Sequence, residues 1–169
     1  GAADPDWNPD PDSLVDVLTL DSTGRLFVAG QFSNIGGQER DGLAKLSDAA
    51  GQVDPDWNPS MGGRARGMVP DDNGNLYVFG MLPPSGNGPQ SYLSRVSMSG
   101  FGLTDPDWDP APEGHVNALT IGSAGSVYVG GVFTSIGNRS INHLAKLAAV
   151  GTGLADARWN ANLGEFGVA

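Results

Sequence analysis

The side chains here that could hold a metal or move a proton are two histidines, three glutamates and sixteen aspartates; cysteine is absent. Zinc held from a helix needs two imidazoles one turn apart, as in H-x-x-x-H or H-E-x-x-H. His115 and His143 lack that spacing and read as surface or turn residues. The acid pairs Asp4 and Asp6, Asp54 and Asp56, and Asp105 and Asp107 offer oxygens of the kind Ca²⁺ takes, about 6 to 8 of them. They lack the D-x-D-x-D-G loop with its closing Glu, and the nearer look-alike "PDDNGN" (70–75) reads as a turn. No cofactor is expected, with Ca²⁺ the one these residue types admit. Glu39, Glu113 and Glu165 are not set opposite a second carboxylate, as glycoside cleavage requires. No G-x-S-x-G elbow occurs, and neither "GGQER" nor "GNGPQ" is followed by the G-K-[ST] of a phosphate loop. No catalytic residue is assigned and an enzyme is not expected.

Charge narrows the partners. The formal net charge is −10, against nucleic acid and anionic membranes alike. Aspartate, which favours turns and caps, far outnumbers glutamate, which favours helix interiors, so the acidity itself points to loops between strands. The 26 glycines, more than twice the usual share, suit many tight turns. No apolar run approaches the roughly 20 residues of a membrane helix. No signal peptide is present, and the chain starts within a motif and without Met, so a processed or partial segment is expected. Asn138-Arg139-Ser140 matches the glycosylation sequon, which carries weight only in a secreting eukaryote.

The elements that position these residues repeat. "DPDWNP" occurs at 4–9 and 54–59, "DPDWDP" at 105–110 and "DARWNA" at 156–161. The tryptophans Trp7, Trp57, Trp108 and Trp159 are 50, 51 and 51 residues apart. From each of the first three, 23 residues lead to Gly30, Gly80 and Gly131, and 16 more to Leu46, Val96 and Leu147. The one length difference falls just beyond, in "SDAAGQV". A period near 50 residues signals a stacked array or a propeller. The units span about 4–53, 54–104 and 105–155, with a partial unit at 156–169, in one domain of 1–169.

Each unit reads as four short strands. The first is "VDVLTL" (15–20), matched by "VNALTI" (116–121). A turn ending in Gly24, Gly74 or Gly125 follows, where glycine supplies the positive φ of a bulged hairpin. The second, "RLFVAGQF" (25–32), is apolar on nearly every residue, so both faces should be buried. The third is "LAKL" (43–46), "LSRV" and "LAKL", whose basic residues Lys45, Arg95 and Lys146 are expected to pair with the acidic edge of the same or the next blade. The fourth carries the DPDW motif. A sheet apolar on both faces must be covered by neighbouring sheets, and radial stacking of four-stranded blades does this. Ala29, Gly30, Gly80, Gly130 and Gly131 then suit a narrow inner region where backbones approach closely. Each tryptophan wedges between blades, and its flanking prolines mark an outer edge strand.

The composite of Trp7-Asn8-Pro9, Leu26 to Phe32, Ile35 to Gly37 and Leu43 to Leu46 resembles the delta-sixty repeat of bacterial β-propellers. The third unit matches with Val127 to Phe133, Ile136-Gly137 and Leu144 to Leu147, while the second, with "GMLPPSGNGPQ", lacks the Phe and the Ile. The resemblance implies an extracellular or cell-surface setting, bacterial in source, and no catalytic residues.

Three units and a quarter are fewer than the four or more blades of a propeller. Either the chain is part of a longer one, or other copies complete it as a ring or a filament. The expected function is a non-enzymatic structural, self-assembling or adhesive propeller module. The alternative is a ligand- or glycan-binding propeller using loops 33–42, 83–92 and 134–143.

Overall fold

Each unit doubles back on itself at a glycine. The computed structural model describes residues 2, 4–47, 51–82 and 91–159. Gly24, Gly74 and Gly125 take φ of 85°, 87° and 74°, closing hairpins between the first and second strands. In two turns a buried aspartate organises the loop. Asp21 accepts from the Thr23 and Arg25 N–H groups and the Thr23 hydroxyl, and Asp71 accepts from the Asn73 and Asn75 N–H groups. The third unit has Gly122 there, and a single 3-10 turn, Ser123–Gly125, replaces the carboxylate bridge.

The fold is all-β, built from small antiparallel sheets, with no α-helix among the described residues. The first sheet holds β1 (Val15–Leu20), β2 (Leu26–Gly30) and β5 (Leu43–Leu46), in the order β1-β2-β5. A two-stranded ribbon, β3 (Asn34–Ile35) with β4 (Gln38–Glu39), lies in its polar loop. The second sheet holds β6 (Arg64–Pro70), β7 (Asn75–Met81) and β8 (Ser91–Ser97). The third holds β9 (Glu113–Ile121), β10 (Val127–Ser135) and β11 (Leu144–Leu147).

The expected fourth strand is not a strand. It is reduced to one bridge per unit, Leu46 to Val53, Val96 to Thr104 and Leu147 to Ala155. One further backbone bond follows each bridge, from the N–H of Asp54, Asp105 or Asp156 to the carbonyl of Lys45, Arg95 or Lys146, all at 2.8 Å. The chain then turns. Oδ1 of each of these aspartates accepts the N–H two residues on, from Asp56, Asp107 or Arg158, at 3.1, 2.9 and 2.9 Å. A side chain that captures its own backbone competes with the ladder. The turn persists in "DARW", where alanine replaces proline, so the aspartate is the common cause. The motif is therefore a capped turn, and the sheets are three-stranded.

β2 and β7 are buried on both faces, as their composition requires, whereas β10 is buried on one face only, with Val132 exposed and Tyr128 half-buried. Phe27, Ala29 and Leu43 of the first sheet pack with Ala65, Met68, Leu76 and Val78 of the second. Tyr77, Phe79 and Leu93 on the opposite side of the second sheet pack with Val116, Val127 and Val129 of the third. The two inner tryptophans seal these seams. Trp57 meets Phe27 edge-on at 5.2 Å and donates its indole N–H to the Ser97 carbonyl at 2.8 Å. Trp108 meets Tyr77 at 5.1 Å and donates to the Ala148 carbonyl at 2.9 Å. Each indole thus stacks on the sheet before it and hydrogen-bonds the sheet after it. Trp159 meets Tyr128 at 5.4 Å but is only half-buried, and Trp7 is 39% exposed. The sealed position expected for all four holds at the two inner seams only, because no sheet among the described residues covers the outer pair.

A fully buried indole removes on the order of 200 Å² from water, an upper bound of about 5 kcal/mol. Trp57→Ala and Trp108→Ala should each lower the unfolding free energy by about 3–5 kcal/mol. Trp7→Ala should cost no more than about 1–2 kcal/mol, since much of that ring is already in water. Urea titrations of the three variants check this; equal losses at all three positions would contradict it.

Candidate functional site

The three glycines at the repeat's fixed point act within one sheet. A Cβ on Gly30, Gly80 or Gly131 would lie 2.0, 2.1 or 2.0 Å from the carbonyl oxygen of Leu14, Arg64 or His115. Those carbonyls belong to the first strand of the same sheet or the residue just before it. A close approach exists at these three, made across a hairpin and not between neighbouring sheets, but not at Gly130, where a Cβ would meet nothing nearer than 3.9 Å. Its cause is a bulge: pairing skips one residue between Val15 and Val17, between Ala65 and Gly67, and between Val116 and Ala118. The skipped residues are Asp16, Arg66 and Asn117. A bulge re-aims a side chain and bends its strand.

All three lie where the first strands converge, β1 against β6 and β6 against β9. With Val17, Arg64, Ala65 and Val116 they line a cleft of about 340 Å³. Arg64 reaches from the second sheet to Asp16 of the first, its Nε 3.1 Å from Oδ2 and its Nη2 3.0 Å from Oδ1. Arg66 is exposed and has no hydrogen-bond or ion-pair partner among the described residues. The floor, Ala65 and Val116, is buried and apolar.

Cation–carboxylate pairs recur at the outer edge. Lys45 meets Asp54 at 2.7 Å and Lys146 meets Asp156 at 3.1 Å, and Arg95 pairs with Asp105. The basic residue therefore pairs with the motif of the next unit, one of the two partners expected. Arg95 does more than its lysine counterparts: it also donates to the Ala149 carbonyl and lies over the Trp108 ring at 5.8 Å, tying the second sheet to the third. These acids sit below the usual carboxylate range. Burial pushes Asp54 up, but the Lys45 ammonium and the N–H groups of Asp56 and Trp57 outweigh it. The Arg95 hydrogen bond dominates at Asp105, and the Arg158 N–H leads, with Lys146, at Asp156.

The remaining candidates are dispersed. His115 Nδ1 is 3.0 Å from Ser91 Oγ, and His143 Nδ1 is 3.2 Å from the Gly131 carbonyl. His143 has φ of 66°, close to the 67° of its counterpart Gly42, so it occupies a turn that glycine serves elsewhere. The first acid of each pair is spent on its own turn, Asp4 included, which accepts from the Asp6 N–H at 3.0 Å. Among the described residues no three metal-ligating side chains gather. No helix among them is long and apolar enough to cross a membrane. Of the loops expected to bind ligand, 33–42 holds the β3–β4 ribbon and 134–143 a bridge from Ile136 to Arg139, while 83–90 lie outside the described residues, as does Glu165. Loop 33–42 is held down by Arg40, which is buried and donates to the carbonyls of Glu39 and Asp54, both at 2.7 Å.

Two sheet faces have no neighbouring sheet among the described residues. Leu18 and Leu20 are 62% and 60% exposed, yet their counterparts in the second and third units, Met68 and Leu119, and Ile121, pack into seams. At the other end Tyr128 and Leu144 are half-buried, whereas Phe27 and Tyr77, and Leu43 and Leu93, are buried. Both outer faces therefore carry seam chemistry.

Reasoning from the sequence missed three sets of residues. Phe27, Tyr77 and Tyr128, the edge-on partners of the tryptophans, share one repeat position. Gly51, Gly102 and Gly153, at φ of 64°, 71° and 72°, lie against the indoles of Trp7, Trp57 and Trp108, where a Cβ would come within 3.2, 2.9 and 3.2 Å. Their spacing of 51 was there to be counted. The cleft residues Asp16, Arg64, Arg66 and Asn117 gave no such signal, because the residue type changes from unit to unit. No family model, no curated protein and no solved structure matches the chain.

Acid should loosen the hairpin of the first unit. Burial alone would raise Asp21, but the hydrogen bonds from Thr23 and Arg25 bring it from 3.8 to about 2. A carboxylate depressed by folding contributes fully above its unfolded pKa and progressively less as pH falls toward the folded one. Asp21→Asn should therefore destabilise the protein at pH 5, and the gap from the parent should close between about pH 4 and pH 2. Unfolding free energies across that range measure it; a gap independent of pH would refute the assignment.

Proposed function

We propose that this chain is a non-enzymatic β-propeller module that assembles with copies of itself, in an extracellular or cell-surface setting. The observation that carries the reading is the pair of faces that have no partner sheet among the described residues. Leu18 and Leu20 present at one end what Met68, Leu119 and Ile121 bury in the inner seams. Tyr128, Leu144 and Trp159 present at the other end what Phe27, Leu43 and Trp57 bury. A second copy set head to tail brings these faces together and repeats the inner seam. Two copies supply six sheets, within the range of propeller rings, and a rotation that fails to close builds a filament instead. The resemblance to the delta-sixty repeat supports the radial arrangement and the surface setting. The net charge of −10 suits a secreted, soluble surface.

Light scattering coupled to size exclusion tests the reading. The expected mass is a multiple of 17.4 kDa, falling to a single chain in Leu18→Asp with the β-sheet circular dichroism spectrum retained. A parent protein of 17.4 kDa at every concentration overturns it.

A further inference from the structure

The convergent ends of the first strands hold a second kind of chemistry. Three bulges deliver three different side chains, Asp16, Arg66 and Asn117, to one cleft, and Arg64 joins them from the strand that carries Arg66. Asp16 is spent: both of its oxygens are taken by the Nε and Nη2 of Arg64. That pairing holds the Arg64 guanidinium in place and leaves Nη1 without a partner among the described residues. Arg66 is wholly unpaired there, and so is the Asn117 amide. In a chain with 19 acids against 9 lysines and arginines, this cleft has two guanidiniums against one carboxylate.

We infer that the cleft binds the oxyanion group of a small molecule: a carboxylate, sulfate or phosphate held by Arg66, with Asn117 and the open edge of Arg64 as further donors. Guanidinium forks match planar or tetrahedral oxyanions with paired N–H groups, and an amide adds a neutral donor. The apolar floor of Ala65, Val116 and Val17 lowers the local dielectric beneath the anion and strengthens the attraction. The cleft's volume of about 340 Å³ admits a monosaccharide-sized ligand. The site lies within one chain and does not depend on the assembly.

The test is calorimetric titration of the full chain at constant ionic strength with glucuronate, sulfate and inorganic phosphate, and with glucose as the neutral control. Saturable binding of at least one anion and none of glucose is expected, and the anion that binds most tightly identifies the group. Arg66→Gln should weaken that anion at least about tenfold and Asn117→Ala about threefold. Arg158→Gln, an exposed change outside the cleft, should leave it unaltered. Circular dichroism confirms that each variant is folded. The proposal fails if no anion saturates below about 50 mM, or if Arg66→Gln binds as the parent does. Mass measurements on the same samples report separately on assembly, so either idea can fall without the other.

Discussion

An indole held between two sheets is the constraint from which the rest follows. Trp57 lies on the turn joining the first sheet to the second, stacks edge-on against Phe27 and hydrogen-bonds the Ser97 carbonyl. Trp108 repeats this between the second and third with Tyr77 and Ala148. The ring fixes the spacing of the sheets, because an aromatic edge must meet an aromatic face. It fixes their relative height, because its N–H must find one particular carbonyl. The glycine beside each indole, Gly102 or Gly153, has to lack a side chain so that the ring can lie flat against backbone. The aspartate that caps the turn, tied to Arg95 or a lysine at the edge of the preceding sheet, sets the point from which the ring departs. One short motif is thus cap, hinge and wedge together.

The bulges divide the labour differently. Along β2 and β7 the side chains serve packing. At the bulge one residue leaves the ladder and its identity no longer matters to the core. The three units accordingly place an acid, a base and an amide there, while the glycine opposite stays the same. Structural regularity and chemical variety meet at one point of the repeat, and that is where the cleft forms.

Much of this architecture was legible in the sequence because it is local and repeated. The hairpin glycines adopt the positive φ their position requires, "LAKL" is a strand at 43–46, and the recurring base finds the recurring acid. The fourth strand misled because DPDW looks like an edge strand protected by proline. The deciding competitor was the aspartate side chain, which takes the N–H two residues on and ends the ladder. The role of Gly30, Gly80 and Gly131 was half legible: composition announces close contact, but only coordinates say with what. The cleft was not legible at all. Asp16 and Arg64 are 48 residues apart and differ in type from their own repeat counterparts, so counting periods passes over them.

The first unit is one residue shorter than the others between its bridge partners, Leu46 to Val53 against Val96 to Thr104 and Leu147 to Ala155. On either side nothing has moved: Ser47, Ser97 and Ala148 each donate to the residue before the bridge, and the ion pair beyond it closes in all three. A one-residue difference in length is therefore absorbed between these two anchor points without shifting either of them. Peptide of another length can be spliced in between those anchor points without disturbing how neighbouring sheets mesh, which makes this step the natural place for the repeat to acquire new surface features.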